Sequence, residues 1–330
     1  LRYVINKAKQ APKRVIFAEA ENLKILKAAQ IVNDEGIATP ILLGKKEKIN
    51  ALIEEHGLQL ENIQIIDPKC DSMEDKRYEY GQKFFEKRQR KGYNLYEAKK
   101  VMRERAYFGS MMLANGEADA LISGITRKYQ DMLRPALQII GMKKEVKRVA
   151  GMYMMLTKKG PIFFADASVN FNPTEDELVD ITVLAAKEVE NFNIKPRIAM
   201  LSYSNFGSSD SAEAILVRNA VAKLKATHPE LIVDGEMQAS VAFNQELMKE
   251  NYPFSALVNE TPNVFIFPNL SAGNIAYNLL QEIGGAEAIG PILLGLNKPV
   301  HVLQLGSTVR QIVNMVAISV VEAQLKSSKK

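Results

Sequence analysis

The sequence has 330 residues, of which 47% are apolar and 25% charged, with a formal net charge of +5 at pH 7. This composition is typical of a soluble globular protein of about two domains, and a single cysteine, Cys70, with three scattered histidines excludes a disulfide framework and a Cys/His metal site. Because no apolar run reaches about 18 residues, no signal peptide opens the chain, and Lys and Arg are mostly interleaved with Asp and Glu, we expect a cytoplasmic protein with no membrane, nucleic-acid or metal partner.

Short β-branched segments alternate with longer amphipathic segments along the whole sequence. This alternation predicts an α/β fold in which helices cover mainly parallel sheets. The chain opens at Leu1 without an initiator Met, which we interpret as processing or as excision from a longer polypeptide. In the first half we predict strands at 14–18, 40–43, 63–66 and 118–122, and helices at 23–34, 45–55, 72–90 and 95–115.

The second half opens with two predicted strands, at 149–156 and 161–165, which a turn at 158–160 would pair. Thr174 is followed by three acidic residues and therefore predicts a helix start. A last helix at 308–326 carries an apolar face, which should pack on a core or on a second subunit. Further elements are predicted as strands at 197–201, 231–234, 263–268 and 299–303, and as a frayed tail at 327–330.

A domain boundary is easiest to place within 141–160. We therefore divide the chain into a first α/β lobe, 1–150, and a second α/β lobe, 151–330. The second lobe would carry the serine-rich segment described next and the last helix, as a dimerisation helix. The alternative is that part of the C-terminal segment returns to the first lobe.

One segment, which we call the serine loop (residues 202–211), lies between a predicted strand and a predicted helix and reads SYSNFGSSDS. Backbone amides and hydroxyl groups at a helix N-terminus favour anions, so the loop is a candidate phosphate site. An ordinary connecting loop with a helix cap fits the same spacing. The segment matches neither G-x-G-x-x-G nor a Walker loop, which leaves a nicotinamide dinucleotide site of the usual type unsupported.

Six longer strings are similar to the phosphate acetyl/butyryltransferase family, in the family's order and across essentially the whole chain. They read YFGSMMLANGEADALISGITRKYQDMLRPALQII (from 107), DASVNFNPTEDELVDI (from 166), PRIAMLSYSNFGSS (from 196), DGEMQAS (from 234), NVFIFPNLSAGNIAYNLL (from 263) and IGPILLGLNKPVHVL (from 289). The resemblance implies a two-lobed, three-layer α/β/α fold like that of isocitrate and isopropylmalate dehydrogenases, with a cleft between the lobes. It also implies a homodimer and acetyl transfer between CoA and inorganic phosphate.

The resemblance assigns candidate ligand contacts. Arg134, in LRPALQII, falls on a phosphate-type arginine of the family, and Arg88 falls on another. The remaining candidates come from the family's cleft: Ser123, Gly124, Tyr203, Ser204, Asn205, Gly290, Pro291, Gly295 and Lys298. Turns at the glycines and a surface charge at Lys298 are the structural alternatives. For Asp166 and Asn170 we favour a structural role, in which they fix a loop by local hydrogen bonds.

The sequence departs from the family in the catalytic string, where active members carry Leu-Ser-Arg-Gly and an Asp five residues later. Gln304 stands at the serine position, Leu305 at the arginine and Gln311 at the aspartate. An amide does not remove a thiol proton at neutral pH, and leucine offers an oxyanion neither a hydrogen bond nor a charge. We therefore expect no catalytic residue for phosphate acetyl transfer.

These departures resemble the C-terminal domain of hybrid NADP-dependent malic enzymes, to which DGEMQAS, LSYSNFGSS and FPNLSAGNIAYNL are especially similar. The expected ligand is acetyl-CoA or a related acyl-CoA, bound without a covalent cofactor, and the expected role is allosteric regulation of a linked malic enzyme domain. NADP and Mg²⁺ or Mn²⁺ would belong to that other domain. The complete chain would form a homo-oligomer larger than the dimer. An active phosphate acetyltransferase and a ligand-free oligomerisation scaffold are the alternatives.

Overall fold

The computed structural model describes residues 1–158 and 160–327. Lys159 in the predicted turn and residues 328–330 of the predicted tail lie outside them. The strands are β1 Lys13–Phe17, β2 Ala38–Leu43, β3 Gln64–Ile66, β4 Ala120–Ser123, β5 Ala150–Thr157, β6 Gly160–Ala165, β7 Arg197–Leu201, β8 Ile232–Met237, β9 Val264–Ile266, β10 Glu287–Leu294 and β11 Val300–Val302. The longer helices are α1 Arg2–Gln10, α2 Leu23–Asp34, α3 Lys46–Glu55, α4 Glu74–Arg88, α5 Leu95–Val101, α6 Arg105–Ala114, α7 Tyr129–Ile139, α8 Glu175–Asn191, α9 Ala212–Thr227, α10 Ala239–Phe243, α11 Gln245–Asn251, α12 Leu270–Glu282 and α13 Val309–Ser327.

The chain divides into two compact units, and the first comprises residues 1–143 together with the segment from Leu296 onward. Its sheet has the order β11-β4-β1-β2-β3, and every neighbouring pair is parallel. Val15, Ile16 and Phe17 of β1 are fully buried, as expected where helices cover both faces of a parallel sheet. The predicted α/β fold with mainly parallel sheets is confirmed.

The last helix, α13, belongs to the first unit. Its apolar residues, including Ile312, Val316 and Val320, are fully buried, and the helix packs against α1 and α2. The predicted apolar face therefore packs on a core within the chain. The helix lies with the first unit and not with a second lobe running to residue 330, because β11 pairs in parallel with β4 and leads directly into it. This is the alternative division, in which part of the C-terminal segment returns to the first lobe.

The second unit, 144–295, contains a mixed sheet of order β10-β5-β6-β9-β7-β8. The predicted antiparallel pairing of β5 with β6 is present, and β6, β9, β7 and β8 are parallel to one another. β10 pairs antiparallel with β5 and was not predicted, because Gly290-Pro291 indicates a turn. The structure accommodates this dipeptide as an irregularity between Ile289 and Ile292.

Helix boundaries follow local hydrogen bonds. Thr174 accepts a hydrogen bond from the Glu177 backbone N–H, and the Glu177 carboxylate accepts one from the Thr174 N–H, so the predicted start of α8 is a complete capping box. The helix predicted over 95–115 is instead two helices. After α5 the backbone makes tighter bonds, from Arg103 N–H to Lys100 O and from Glu104 N–H to Val101 O, which interrupt the α-helical ladder. No helix within the described ranges is long and apolar enough to cross a membrane.

Candidate functional site

The carboxyl edge of the first sheet contains a point where the chain reverses its direction of winding. From β1 the chain continues to β2 and β3 on one side, whereas β4 and β11 lie on the other side. Loops that leave two adjacent parallel strands in opposite directions leave a crevice between them, which is the usual ligand site of open α/β sheets. The loops after β1 and β4 meet here.

A cavity of about 370 Å³ occupies this position, and we call it the switch-point pocket. The sequence-predicted residues Ser123 and Arg134 both line it. The other lining residues come from the loops after β1 and β4, from the segment after β3, from the α5–α6 connection with the start of α6, and from the first turns of α7. They are Ala18, Glu19, Glu21, Lys69, Arg103, Glu104, Arg105, Ala106, Tyr107, Thr126, Arg127, Asp131, Met132 and Pro135.

Five cations line the pocket, and they differ in their pairing. Arg105 forms an ion pair with Glu21, and the Arg127 guanidinium lies 4.0 Å from the Glu104 carboxylate. The side chains of the other three make no hydrogen bond or ion pair within the part of the chain that the structure describes; they are Lys69, Arg103 and Arg134. Among the described residues, the pocket therefore offers an anionic ligand three cationic side chains without an ion-pair partner, beside one carboxylate, Asp131, that is likewise unpaired.

Glu19 organises the loop that follows β4, which we call the β4–α7 loop (residues 124–128). Its buried carboxylate accepts hydrogen bonds from the backbone N–H groups of Gly124 (2.5 Å), Ile125 (2.7 Å) and Thr126 (3.2 Å). The Thr126 hydroxyl donates a fourth, short hydrogen bond. Successive amides of this kind form an anion-binding concavity, and here the anion is a side chain of the protein itself.

Gly124 is required at this point for a steric reason. Its φ is +106°, and an added Cβ would lie 2.6 Å from Val302 Cγ1 and 2.7 Å from the Leu303 carbonyl oxygen. The end of β4 is held close to the end of β11 by a hydrogen bond from the Leu303 N–H to the Ser123 carbonyl. Only glycine fits a positive φ with this close backbone approach.

The hydroxyl of Ser123 is already engaged in a hydrogen bond within the protein. The group donates to the sulfur of Met132 at 2.9 Å, and the residue is 3% exposed. This contact joins the end of β4 to the first turn of α7. Ser123 therefore lines the pocket with its hydroxyl already engaged, whereas Arg134 presents an exposed charge to it. Gly124 is not among the lining residues.

Arg88, the second predicted phosphate arginine, is not among the residues that line the pocket. Its guanidinium donates to the carbonyl oxygens of Leu137 and Gln138 at the end of α7. A cation stabilises the last carbonyl groups of a helix, so this contact anchors α7. Tyr107 packs nearby and donates to the Gln138 side chain; burial, and then its hydrogen bond with Tyr93, raise the pKa of its phenol, so that the hydroxyl stays protonated at neutral pH.

In the second unit the serine loop also surrounds a carboxylate. Glu236 of β8 accepts from the Ser204 hydroxyl (2.9 Å) and the Gly207 N–H (2.9 Å), and its side chain is fully buried. Arg218 of α9 donates to both carboxylate oxygens. Burial alone would raise the pKa of Glu236, but the hydrogen bonds from Arg218, Gly207 and Ser204 hold it below its ordinary value. The carboxylate of Glu236 thus occupies serine-loop donors that were candidates for binding a phosphate ligand.

The exposed part of the serine loop is also hydrogen-bonded locally. Asn205 accepts from the Gln238 N–H at 2.8 Å, and the Tyr203 hydroxyl contacts the hydroxyl groups of Ser209 and Ser211. Ser211 caps α9 by accepting from the Ala214 N–H. These contacts fit the connecting loop with a helix cap that the spacing equally allowed.

The candidates between Gly290 and Lys298 occupy backbone-defined positions. Gly290 and Pro291 form the irregularity in β10, where a Cβ on Gly290 would lie 2.7 Å from Tyr153. Gly295 has φ +92°, and its Cβ would approach Val146 to 2.9 Å. The Lys298 ammonium donates to the Leu113 and Ala114 carbonyls at the end of α6. None of the four lines the switch-point pocket.

Asp166 and Asn170 fix a loop by local hydrogen bonds, which is the structural role expected for them. The Asp166 carboxylate accepts from the backbone N–H groups of Ser168, Val169 and Asn170, and Asn170 also donates to the Val149 carbonyl. Burial raises the pKa of Asp166 despite these hydrogen bonds.

The segment that corresponds to the family's catalytic string lies between β11 and α13. Gln304 and Leu305 are exposed, Leu305 by 69%. Gln311 accepts a hydrogen bond from the Thr308 N–H at 2.8 Å, while the Thr308 hydroxyl accepts from the Gln311 N–H at 3.2 Å. These reciprocal bonds form a capping box, so the side chain at the aspartate position stabilises the start of α13.

Several pocket residues were not identified from the sequence. Glu19, Glu21, Lys69, Arg103 and Arg105 were assigned no role, although Glu19 and Glu21 directly follow a buried strand in AEAEN. Polar residues at the carboxyl end of a strand next to the winding reversal are the signal that would have indicated them. The sequence pattern gives this signal only when the strand order is known.

Comparison with known proteins gives matches along the whole chain. The family model for phosphate acetyl/butaryl transferase matches residues 1–320. The NADP-dependent malic enzyme of Haemophilus influenzae is 40% identical over 329 residues, which cover 98% of this chain and 43% of that protein. The phosphate acetyltransferase of Clostridium acetobutylicum is 39% identical over 324 residues, 96% of each chain. A solved phosphotransacetylase from Streptococcus pyogenes superposes with a TM-score of 0.90 at 35% identity, over 98% of this chain and 97% of that one.

Proposed function

The chain belongs to the phosphate acetyl/butaryl transferase family, and from this premise we propose that it is an acetyl-CoA-binding regulatory domain without acyltransferase activity. In the complete protein it would be linked to a malic enzyme domain that decarboxylates malate oxidatively with NADP and a divalent metal. The malic enzymes among the relatives, of which this chain spans 43%, support the linked domain, and the phosphate acetyltransferases among them support an acetyl-bearing ligand.

The observation that carries the proposal is the chemistry at three positions. The family's reaction needs a group that takes the CoA thiol proton and donors that stabilise the oxyanion. Gln304 and Gln311 are amides, and Leu305 is apolar. Gln311 is in addition engaged in the cap of α13. Each missing group costs about 3 kcal/mol of transition-state stabilisation, so the chain would retain little or no turnover.

Affinity for the nucleotide has different requirements. Binding needs a pocket of suitable shape and cations for the phosphate groups, and it does not need the groups that act only in the transition state. The switch-point pocket supplies unpaired cations at Lys69, Arg103 and Arg134. These residues would receive phosphate oxygens of acetyl-CoA, with Arg134 as a bidentate donor.

Regulation would follow from a difference in affinity between two arrangements of the complete protein. A ligand shifts such an equilibrium only by as much as it prefers one state, and the coupling is reciprocal. Acetyl-CoA would in this way change the activity of the linked malic enzyme domain. This chain would form a homodimer, and the complete protein would form a larger oligomer. The dimer interface would be present in both arrangements.

A second candidate is an active phosphate acetyltransferase. The relative from Clostridium acetobutylicum favours it, because the match covers 96% of both chains and so leaves no room for a second enzyme domain in that relative. The three substituted positions oppose it. The two candidates differ in one measurable property, the formation of acetyl phosphate.

The test is a calorimetric titration of the chain with acetyl-CoA, run beside an assay for acetyl phosphate formed from acetyl-CoA and phosphate. We expect binding without product, and a tenfold or greater loss of affinity in Arg134→Gln. Arg90→Gln is the matched control, since Arg90 is an exposed arginine outside the pocket lining. Product formation by the wild-type chain would support the transferase instead, and the absence of both binding and product would support a scaffold.

A further inference from the structure

Glu19 stands apart from the other charged residues of the switch-point pocket. The residue is 8% exposed, and its carboxylate forms no ion pair among the described residues, although five cations line the same pocket. Its hydrogen bonds come from three successive backbone amides and one hydroxyl group. A buried carboxylate needs such compensation, and here the β4–α7 loop supplies all of it.

We propose that Glu19 is a positioning residue, which holds the β4–α7 loop so that ligand anions bind to the pocket's arginines and not to the loop amides. This inference rests on the proposed function, because the ligand anions in question are those of acetyl-CoA. Amides arranged around one point would otherwise attract a phosphate group. With Glu19 in place these donors are already used, and the free donors of the pocket are side-chain cations.

The loop transmits this position to Arg134. α7 begins at Tyr129, immediately after the loop, and Arg134 lies within its second turn. The contact of Ser123 with Met132 ties the first turn of α7, which directly precedes Arg134, to the end of β4. A shift of the loop amides would therefore move the start of α7 and the guanidinium that α7 carries.

Electrostatics through space predicts the opposite effect from positioning. Glu19 is a negative charge beside an anion site, so its removal would strengthen the binding of acetyl-CoA if charge alone mattered. Positioning predicts that its removal weakens binding, because the loop and Arg134 lose their fixed places. The sign of the change separates the two explanations.

Asp131 provides the matched control. It is an exposed carboxylate that lines the same pocket, and its side chain makes no hydrogen bond or ion pair within the described part of the chain. Asp131→Ala removes one negative charge without removing an acceptor from the loop amides. We expect this variant to bind acetyl-CoA more tightly than the wild type, because the pocket loses a negative charge.

The experiment measures the acetyl-CoA dissociation constant of the wild type, Glu19→Ala and Asp131→Ala by calorimetry, each with and without formate. We expect Glu19→Ala to bind at least tenfold more weakly, and formate to restore most of the loss by occupying the vacated carboxylate position. Glu19→Gln fills this position with an amide, so its weaker binding should not respond to formate. Equal or tighter binding by Glu19→Ala would overturn the proposal, as would a loss that formate leaves unchanged.

Hydrogen exchange gives a readout without ligand. The amides of residues 124–126 should lose protection in Glu19→Ala and regain it in formate, while the rest of the β1–β4 sheet keeps its protection. This result would support the positioning role even if the wild-type chain does not bind acetyl-CoA, which would contradict the proposed function alone. Unchanged protection at residues 124–126 in folded Glu19→Ala or Glu19→Gln would overturn the role of Glu19.

Discussion

Glu236 makes the stability of the protein depend on pH, because its ionised carboxylate holds the serine loop. Its pKa is held below the ordinary value of 4.5, so the folded state binds the proton less readily than the unfolded state. The stability that it contributes is therefore complete above about pH 4.5 and is lost as the pH falls through the folded-state pKa. The loss should appear as an acid-dependent decrease in the free energy of unfolding.

We predict that Glu236→Gln lowers the free energy of unfolding at pH 7 by about 2–4 kcal/mol, since it leaves Arg218 and the loop donors imperfectly paired. The variant should also flatten the dependence of stability on pH below 4.5. Urea unfolding at several pH values measures both effects. Glu250→Gln, at an exposed position, is the control. A variant whose stability falls with acid as steeply as that of the wild type would contradict this account.

Gly124 gives a second prediction at the level of one residue. Gly124→Ala combines a positive φ with contacts below 3.0 Å and should cost roughly 2–4 kcal/mol in unfolding free energy. Gly116→Ala separates the two contributions, because Gly116 also has a positive φ (+79°) but an added Cβ would meet no atom within 4 Å. It should cost only about 1 kcal/mol. Equal costs in urea unfolding would show that the close approach to β11 is unimportant.

The candidate site was predictable from single residues only in part. Arg134 and Ser123 lie within a sequence string that is recognisably similar to the family, and the structure places both in one pocket. The hydrogen-bond donors of the serine loop were also recognisable, and Gly124 of the β4–α7 loop was a candidate through the family resemblance alone. Their acceptors, Glu19 and Glu236, lie 105 and 32 residues away from Gly124 and Ser204 in sequence, so local pattern does not connect them.

Among the helices, α13 shows what a short motif contributes. Thr308 and Gln311 have the T-x-x-Q spacing of a capping box, and the structure forms both of its hydrogen bonds. We predict that Thr308→Ala lowers the free energy of unfolding by about 1 kcal/mol. Gln311→Glu keeps the acceptor near the positive end of the helix and should be neutral or slightly stabilising. Thermal unfolding of both variants tests this; a destabilised Gln311→Glu would contradict the capping role.

Helices and strands whose apolar residues recur at one regular spacing were predictable from the sequence. Elements that contain a local irregularity were not. The predicted bounds of α2 agree with the structure, as its buried residues recur at helical spacing. β10 was missed because a glycine and a proline interrupt it, yet its antiparallel partner β5 continues past the interruption. The break between α5 and α6 depends on two backbone hydrogen bonds, which no side-chain pattern records.

On the scale of the whole molecule, the two units differ in continuity. The second unit is one segment and contains its own apolar core, which includes Tyr153, Phe164 and Phe265. The first unit needs two segments, because β11 and α13 complete it. We predict that a fragment of residues 144–295 unfolds cooperatively in urea, whereas a fragment of residues 1–143 does not. Cooperative unfolding of the 1–143 fragment would show that the C-terminal segment is dispensable for that core.

This discontinuity also sets an order of events during synthesis. A ribosome that has finished the second unit has not yet made β11, so the edge of β4 that β11 will cover stays without its partner strand. At 5–20 residues per second the delay between the two strands is roughly 9–35 s. A nascent chain therefore carries an open parallel edge for that time, and chaperone binding to stalled ribosomes should be strongest before residue 300 emerges.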